Sequence, residues 1–226
     1  MKKTVSVLFM FAGILFAICL LVSNILATKI ILIGSFVAPA GVLIFPIAYI
    51  INDVIVEVWG YQKARLIIWS GFVVNILAVL FFTLGIVVPA APFWQNQDAF
   101  ATILGSTPRI IIASLLAYLI GSFLNAFVMS KVKVLMKGKD FSVRAILSTL
   151  IGESADSMIF ITIAFAGTMP LNVLIIMIFT QAFIKTIYEI VILPFTILVV
   201  KWVKKVEGVD SFDESISYNP FTITQI

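Results

Sequence analysis

The sequence predicts an all-α integral membrane protein, a bundle of six transmembrane helices with both termini in the cytoplasm. Three observations carry this expectation. The 226 residues are 62% hydrophobic, with a mean hydropathy of +1.19. Only 12% are charged, against about a quarter in soluble domains. The apolar residues come in repeated runs of about 20, the length an α-helix needs to cross a bilayer. One transmembrane domain over residues 1–205 and a short polar cytoplasmic tail over 206–226 account for the chain, leaving no soluble domain.

The spans are expected near Val5–Ala27, Ile30–Ile51, Leu66–Val88, Arg109–Ser130, Ala145–Ala166 and Leu171–Val200. Lys2 and Lys3 ahead of the first run resemble a signal peptide, but the run is too long for one and five more spans follow, so it reads as an uncleaved first helix. Within it, Gly13 and Ala17 repeat the small-xxx-small spacing that lets helix backbones approach. The second span ends in Ile50-Ile51-Asn52-Asp53-Val54-Ile55-Val56-Glu57, where Asp53 and Glu57 share a helix face with Asn52 alongside. Their position near the expected boundary leaves two readings open: a wetted helix end paired with Lys63 or Arg65, or part of a site.

Between the third and fourth spans, Pro89 to Pro108 is the longest loop and reads as an interfacial connector. Ser106-Thr107-Pro108 offers a capping hydroxyl and a first-turn proline for the fourth span. That span carries Ala113, Ala117 and Gly121 every fourth residue, for close helix packing or a subunit interface, and Asn125. Gly152-Glu153-Ser154-Ala155-Asp156-Ser157 puts two carboxylates and two hydroxyls into the fifth span; Arg144 or Lys185 are the available cations if these acids are merely paired. The sixth span holds Gln181, Lys185, Tyr188 and Glu189, with Lys185 and Glu189 spaced for a self-pair.

Orientation follows from the basic residues. Lys2, Lys3, Lys63, Arg65, Lys131, Lys133, Lys137, Lys139, Arg144, Lys201, Lys204 and Lys205 fall in alternate loops or termini, whereas only Lys29 and Arg109 fall in the others. By the positive-inside rule the first set is cytoplasmic. The net charge of +4 is thus matched to lipid headgroups, not nucleic acid. Cys19 has no partner for a disulfide, and the absence of histidine removes the commonest metal ligand and proton relay, so neither a metal nor a cofactor is expected. No GxxxxGK[ST] phosphate loop is present, so the chain does not itself couple ATP hydrolysis.

An ionisable side chain at mid-bilayer costs roughly 2.5–3.5 kcal/mol even on the lenient insertion scale, which makes such residues functional candidates. Because they recur in several spans, the economical arrangement is one carboxylate-lined cavity. Such a cavity suits ligands that are cationic or rich in hydrogen-bond donors: arginine, lysine, thiamine-like cations, or the donor edge of guanine, whose ring N–H and amine match one carboxylate.

Taken in order, Ser23-Asn24 and Lys29, Phe45-Pro46, Asn52-Asp53, Glu57, Gly60-Tyr61, Ala64-Arg65, Ile151-Gly152-Glu153, Asp156-Ser157, Lys185, Tyr188-Glu189 and the terminal Tyr-Asn-Pro-Phe resemble the bacterial queuosine precursor transporter family, formerly labelled as vitamin uptake transporters. The resemblance runs over nearly the whole chain. It implies import of 7-cyano- or 7-aminomethyl-7-deazaguanine across the bacterial inner membrane for tRNA queuosine salvage. It also makes Asn52, Asp53, Glu57, Glu153, Asp156, Lys185 and Glu189 binding candidates, with Asn125, Gln181 and Tyr188 beside them. Glu153 or Asp156 is expected to take the guanine edge. A homo-oligomer is expected. Three alternatives stand: the substrate-binding membrane subunit of an ATP-driven multi-component vitamin importer with energy-coupling partners, a transporter of another donor-rich vitamin or nucleobase, and an intramembrane enzyme using paired carboxylates, which the missing histidine disfavours.

Overall fold

The computed structural model describes residues 5–33, 36–105 and 108–222, and in it six helices are long and apolar enough to cross a membrane. Helix α1 (Val7–Leu26) begins at Ser6, whose hydroxyl accepts a hydrogen bond from the Phe9 N–H at 3.1 Å. It is followed by strands β1 (Ile30–Ile33) and β2 (Phe36–Pro39), paired antiparallel with Ile30 opposite Pro39 and Ile33 opposite Phe36. This ribbon corrects the expectation of a wholly helical chain and of a second span over Ile30–Ile51. The run Ile30-Ile31-Leu32-Ile33 is as apolar as a helix would be, but its β-branched residues favour a strand, and hydropathy alone does not separate the two.

A short 3₁₀ turn (Ala40–Leu43) leads into α2 (Phe45–Trp59), with Pro46 in the first turn where its missing N–H costs nothing. The second span therefore runs over Ala40–Trp59, which carries Asn52, Asp53 and Glu57 from an expected wetted end into the helix. Nearly every α2 side chain from Pro46 to Val58 is buried, and α1, α3, α5 and α7 all pack against it. A helix apolar all round needs such an enclosing ring.

Gly60, at φ +84°, turns the chain from α2 into α3 (Tyr61–Val87). A Cβ there would also stand 2.8 Å from Asp213 Oδ1. The connector contains an exposed helix, α4 (Gln97–Leu104). Pro108 opens α5 (Pro108–Leu135) as expected, whereas Ser106 and Thr107 lie outside the described residues. Helices α6 (Phe141–Phe165) and α7 (Leu171–Glu207) complete the bundle, α7 running past the expected end at Val200.

Small residues let α5 and α6 approach closely. A Cβ on Gly152 would lie 2.7 Å from Asn125 Cβ, and one on Gly121 would lie 2.9 Å from Asp156 Cβ and 2.6 Å from Tyr49 Oη. Ala113 and Ala117 are buried on this side. Gly13 faces inward too, its missing Cβ lying 2.6 Å from Ile67 Cδ1. Both small-residue stripes are thus used for packing within the chain. The large exposed apolar side chains, such as Leu77, Leu80, Phe81, Ile176 and Phe179, cover the outer faces of the helices, as a lipid-facing surface requires.

The bundle has two ends. The hairpin side carries β1, β2 and α4; the tail side carries the α2–α3 corner, the α5–α6 connection and the end of α7. Beyond the αL residue Gly208, residues 209–222 fold back over the tail side. Asp213 Oδ2 accepts from the Tyr61 N–H at 2.8 Å and from Ser130 Oγ at 2.6 Å, Arg65 donates to the Ser217 and Asn219 carbonyls, and Trp69 Nε1 donates to the Pro220 carbonyl at 2.8 Å.

Candidate functional site

Two polar clusters lie along α2, one at each half of its length. The tail-side cluster centres on Glu57, which projects between α5, α6 and α7. Arg144 from α6 forms a two-nitrogen pair with its carboxylate, Lys204 of α7 donates to Oε1 at 2.6 Å, and Lys133 of α5 lies 3.5 Å from Oε1 while donating to the Glu57 carbonyl at 2.6 Å. Asp210, from the tail, joins Lys133 and Lys204. Partial burial pushes the Asp210 carboxyl up, but hydrogen bonds and charge from the two lysines outweigh it and hold it below the usual carboxylate range. Three cations and two carboxylates thus link α2, α5, α6, α7 and the tail at this end, with one positive charge in excess.

The second cluster lies toward the hairpin side. Lys185 of α7 reaches across to α6, donating to Asp156 Oδ2 at 2.6 Å and lying 2.6 Å from Glu153 Oε2. Its ammonium also sits 4.5 Å from the centre of the Phe45 ring, a favourable placement for a cation over an aromatic face. Glu153 and Asp156 share one helix face at spacing three, so one lysine can hold both. The self-pair of Lys185 with Glu189 that the spacing allowed does not form, whereas the alternative pairing of Glu153 and Asp156 with Lys185 does.

Several buried groups in this region have no partner. Both oxygens of Glu189, one turn along α7 from Lys185, are unpaired, as is Asp53 Oδ2 on α2. Asp53 Oδ1 has only a long contact from Ser148 Oγ, 3.5 Å away. Asn52 Nδ2 donates to Asn125 Oδ1 at 2.8 Å, which leaves Asn52 Oδ1 and Asn125 Nδ2 open; Tyr49 Oη, Thr149 Oγ1, Ser157 Oγ and Gln181 Oε1 are open too. Buried polar groups are ordinarily hydrogen-bonded, so this concentration of open donors and acceptors makes the region the candidate site.

A cavity of about 110 Å³ opens beside this cluster on the hairpin side. Its wall includes Ser23, Asn24, Phe45, Ser114, Asp156, Phe160, Gln181 and Lys185. Asn24 is fixed by Asn75, to which it donates at 2.6 Å. Among the described residues no group of His, Cys, Asp and Glu is placed to hold a metal ion.

Of the residues singled out from sequence, Asn52, Asp53, Asn125, Glu153, Asp156, Gln181, Lys185 and Glu189 gather in or beside this region. Glu57 stands apart in the tail-side cluster, paired with Arg144, Lys133 and Lys204, not with Lys63 or Arg65. Tyr188 is half-buried on the flank of α7. Sequence reasoning missed Phe45 and Tyr49, which sit one turn apart on α2 with rings 5.6 Å between centres. It also missed Ser148 and Thr149, one turn before Glu153. Their helical spacing from the charged positions was the available signal.

The profile of the family described as "Putative vitamin uptake transporter" matches residues 39–199. Among curated proteins the chain is 27% identical over 176 residues to a "Probable queuosine precursor transporter" of Bacillus subtilis, an alignment covering 76% of each chain. It is 30% identical over 131 residues to a protein of the same name in Haemophilus influenzae, covering 58% of this chain and 53% of the relative. No solved structure matches. The profile takes in α2, α5, α6 and most of α7, and with them Phe45, Asp53, Glu153, Asp156, Lys185 and Glu189; the chain belongs to the putative vitamin uptake transporter family.

Proposed function

We propose that this protein imports a queuosine precursor, 7-cyano- or 7-aminomethyl-7-deazaguanine, across the bacterial inner membrane, with both termini in the cytoplasm and the hairpin side outward. Both curated relatives are named as probable queuosine precursor transporters. The observation that carries the reading at the level of the site is Glu189: buried, with both carboxylate oxygens open. One such carboxylate accepts the ring N–H and the exocyclic amine of the guanine edge together. This reassigns the guanine edge from Glu153 or Asp156, since both of those are engaged by Lys185.

The base enters from the cavity, stacks on Phe45 or Phe160 and presents its donor edge to Glu189, one helical turn deeper than Lys185. Its 7-substituent then lies by the Lys185–Glu153–Asp156 group, where an ammonium finds carboxylates and a cyano nitrogen finds the lysine. The Glu57 cluster and the folded-back tail keep the inner end shut while the outer end is open, as one state of an alternating-access cycle requires. The role is transport, with no catalytic residue.

Uptake of labelled 7-aminomethyl-7-deazaguanine into cells that cannot synthesise it, read as queuosine in tRNA, tests this. Uptake is expected with the intact chain and lost with Glu189→Gln at equal protein level. An expressed, membrane-inserted chain that gives no uptake overturns the substrate.

A further inference from the structure

We propose that Asp53 and Glu189 together bind a proton that travels inward with the substrate, so that the protein is a proton symporter. The inference rests on the transport reading above and adds its driving force. It begins from an imbalance of charge. In the cluster around Lys185 four carboxylates, Asp53, Glu153, Asp156 and Glu189, share one ammonium, and that ammonium is engaged by Glu153 and Asp156 alone. Every other buried carboxylate in the described residues has a cation. Asp53 and Glu189 are 0% and 1% exposed, and neither has one.

Among the described residues the surroundings offer the pair no cation. Asp53 on α2 feels Glu189 from α7 and Glu57 one turn along its own helix, whose charge is consumed by Arg144, Lys133 and Lys204. From α6 it meets only the hydroxyl of Ser148, and from α5 the amide of Asn125. Glu189 feels Glu153 from α6 and Asp53 from α2. The Asn125 Nδ2 beside Asp53 is itself fully buried and unpartnered. Isolated ionised carboxylates out of water are too costly to persist as a neighbouring pair, and two such groups take up one proton between them.

That shared proton fits the binding step. With the outer side open, water delivers a proton to the pair. When the base arrives, Glu189 is ionised to accept its two N–H groups, and the proton resides on Asp53. Occupied in this way, the site carries one less negative charge as it changes sides, and the proton leaves Asp53 for cytoplasmic water after the base has gone. No oxidant, nucleotide or second solute is required.

The full-length protein reconstituted in lightly buffered vesicles tests this. Adding 7-aminomethyl-7-deazaguanine outside is expected to make the external medium more alkaline, and a protonophore collapses the signal. An inward-directed proton gradient is expected to raise substrate accumulation several-fold. Substrate that exchanges across the membrane with no proton movement, or accumulation that follows a sodium gradient instead, overturns the symport while leaving the transport reading intact. Absence of substrate exchange in the wild type overturns both. Asp53→Asn, checked for folding by substrate-induced thermal stabilisation, is expected to lose the proton signal and the response to the gradient; a stably folded variant that keeps them overturns the assignment to Asp53. If that variant does not fold, Ser148→Ala, which removes the one hydroxyl on Asp53, is expected to shift the pH dependence of accumulation, and an unshifted profile counts against Asp53.

Discussion

Arg144 meets Glu57 with both terminal guanidinium nitrogens, Nη2 donating to Oε1 at 3.1 Å and Nη1 to Oε2, and neither side chain is more than 1% exposed. With Lys204 and Lys133 added, one carboxylate on α2 ties together α5, α6 and α7 at the tail side. Ion pairs of this kind cost desolvation to form, and their removal on one side only is worse than their absence.

Glu57→Gln leaves Arg144, Lys133 and Lys204 facing a neutral amide. The variant is expected to lose about 3–5 kcal/mol, the range for breaking a buried pair on one side. Thermal unfolding of the purified protein in detergent checks this. Glu214→Gln, at an exposed position in the tail, is the control and is expected to change stability by less than about 0.5 kcal/mol.

At Gly152 α6 lies close against α5, its missing Cβ only 2.7 Å from Asn125 Cβ. Gly152→Ala forces the helices apart, at a cost of about 1–3 kcal/mol for overpacking. It also moves Asn125, and so the Asn52–Asn125 bond that holds the open amide beside Asp53. Uptake is therefore expected to fall more than protein yield does. By contrast Gly85→Ala meets only Phe100 at 3.5 Å and is expected to be tolerated in the same two assays.

These two cases mark what the sequence could and could not disclose. The close approach of α5 and α6 was legible because Ala113, Ala117 and Gly121 repeat at the helical period along one segment. The same periodicity put Asp53 with Glu57, Glu153 with Asp156, and Lys185 with Glu189 on shared faces. Lys185 was one of two cations the sequence offered Glu153 and Asp156, and it is the one that pairs with them, but the partners of Glu57 were not legible: Arg144, Lys133 and Lys204 lie 87, 76 and 147 positions away, and nothing in a single sequence relates such distances. The ribbon of β1 and β2 was hidden for a different reason. Hydropathy counts apolar residues without regard to backbone, so a strand pair followed by a helix read as one span, and Asn52 and Asp53 fell at its edge instead of inside α2.

The tail-side tether is open to a pH test. Asp210 is held below the usual carboxylate range by Lys133 and Lys204. Its folded value is thus lower than its unfolded one, so its contribution is fully present above the ordinary carboxylate value of about 3.9 and is lost as pH falls through the lower, folded value. The side chain is 46% exposed, so Asp210→Asn is expected to cost only about 0.2–1 kcal/mol at neutral pH. The difference in melting temperature between wild type and variant is expected to be constant near neutrality and to close at strongly acid pH.

In the proposed binding mode Lys185 decides how the site treats the two precursors. Replaced by methionine, it leaves Glu153 and Asp156 without their cation while keeping much of the side chain's apolar bulk over Phe45. A neutral 7-cyano base does nothing to restore the balance and also loses the lysine as a donor to its nitrogen. A 7-aminomethyl base brings an ammonium of its own to the vacated place. Hydrogen bonds to charged groups are worth about 1.5–3 kcal/mol, and about 1.4 kcal/mol is tenfold in affinity. Lys185→Met is therefore expected to shift the preference for the aminomethyl over the cyano base by roughly tenfold or more, measured by competition of each unlabelled base against labelled uptake. An equal loss for both bases would place Lys185 in the architecture of α6 and α7 and away from the 7-substituent.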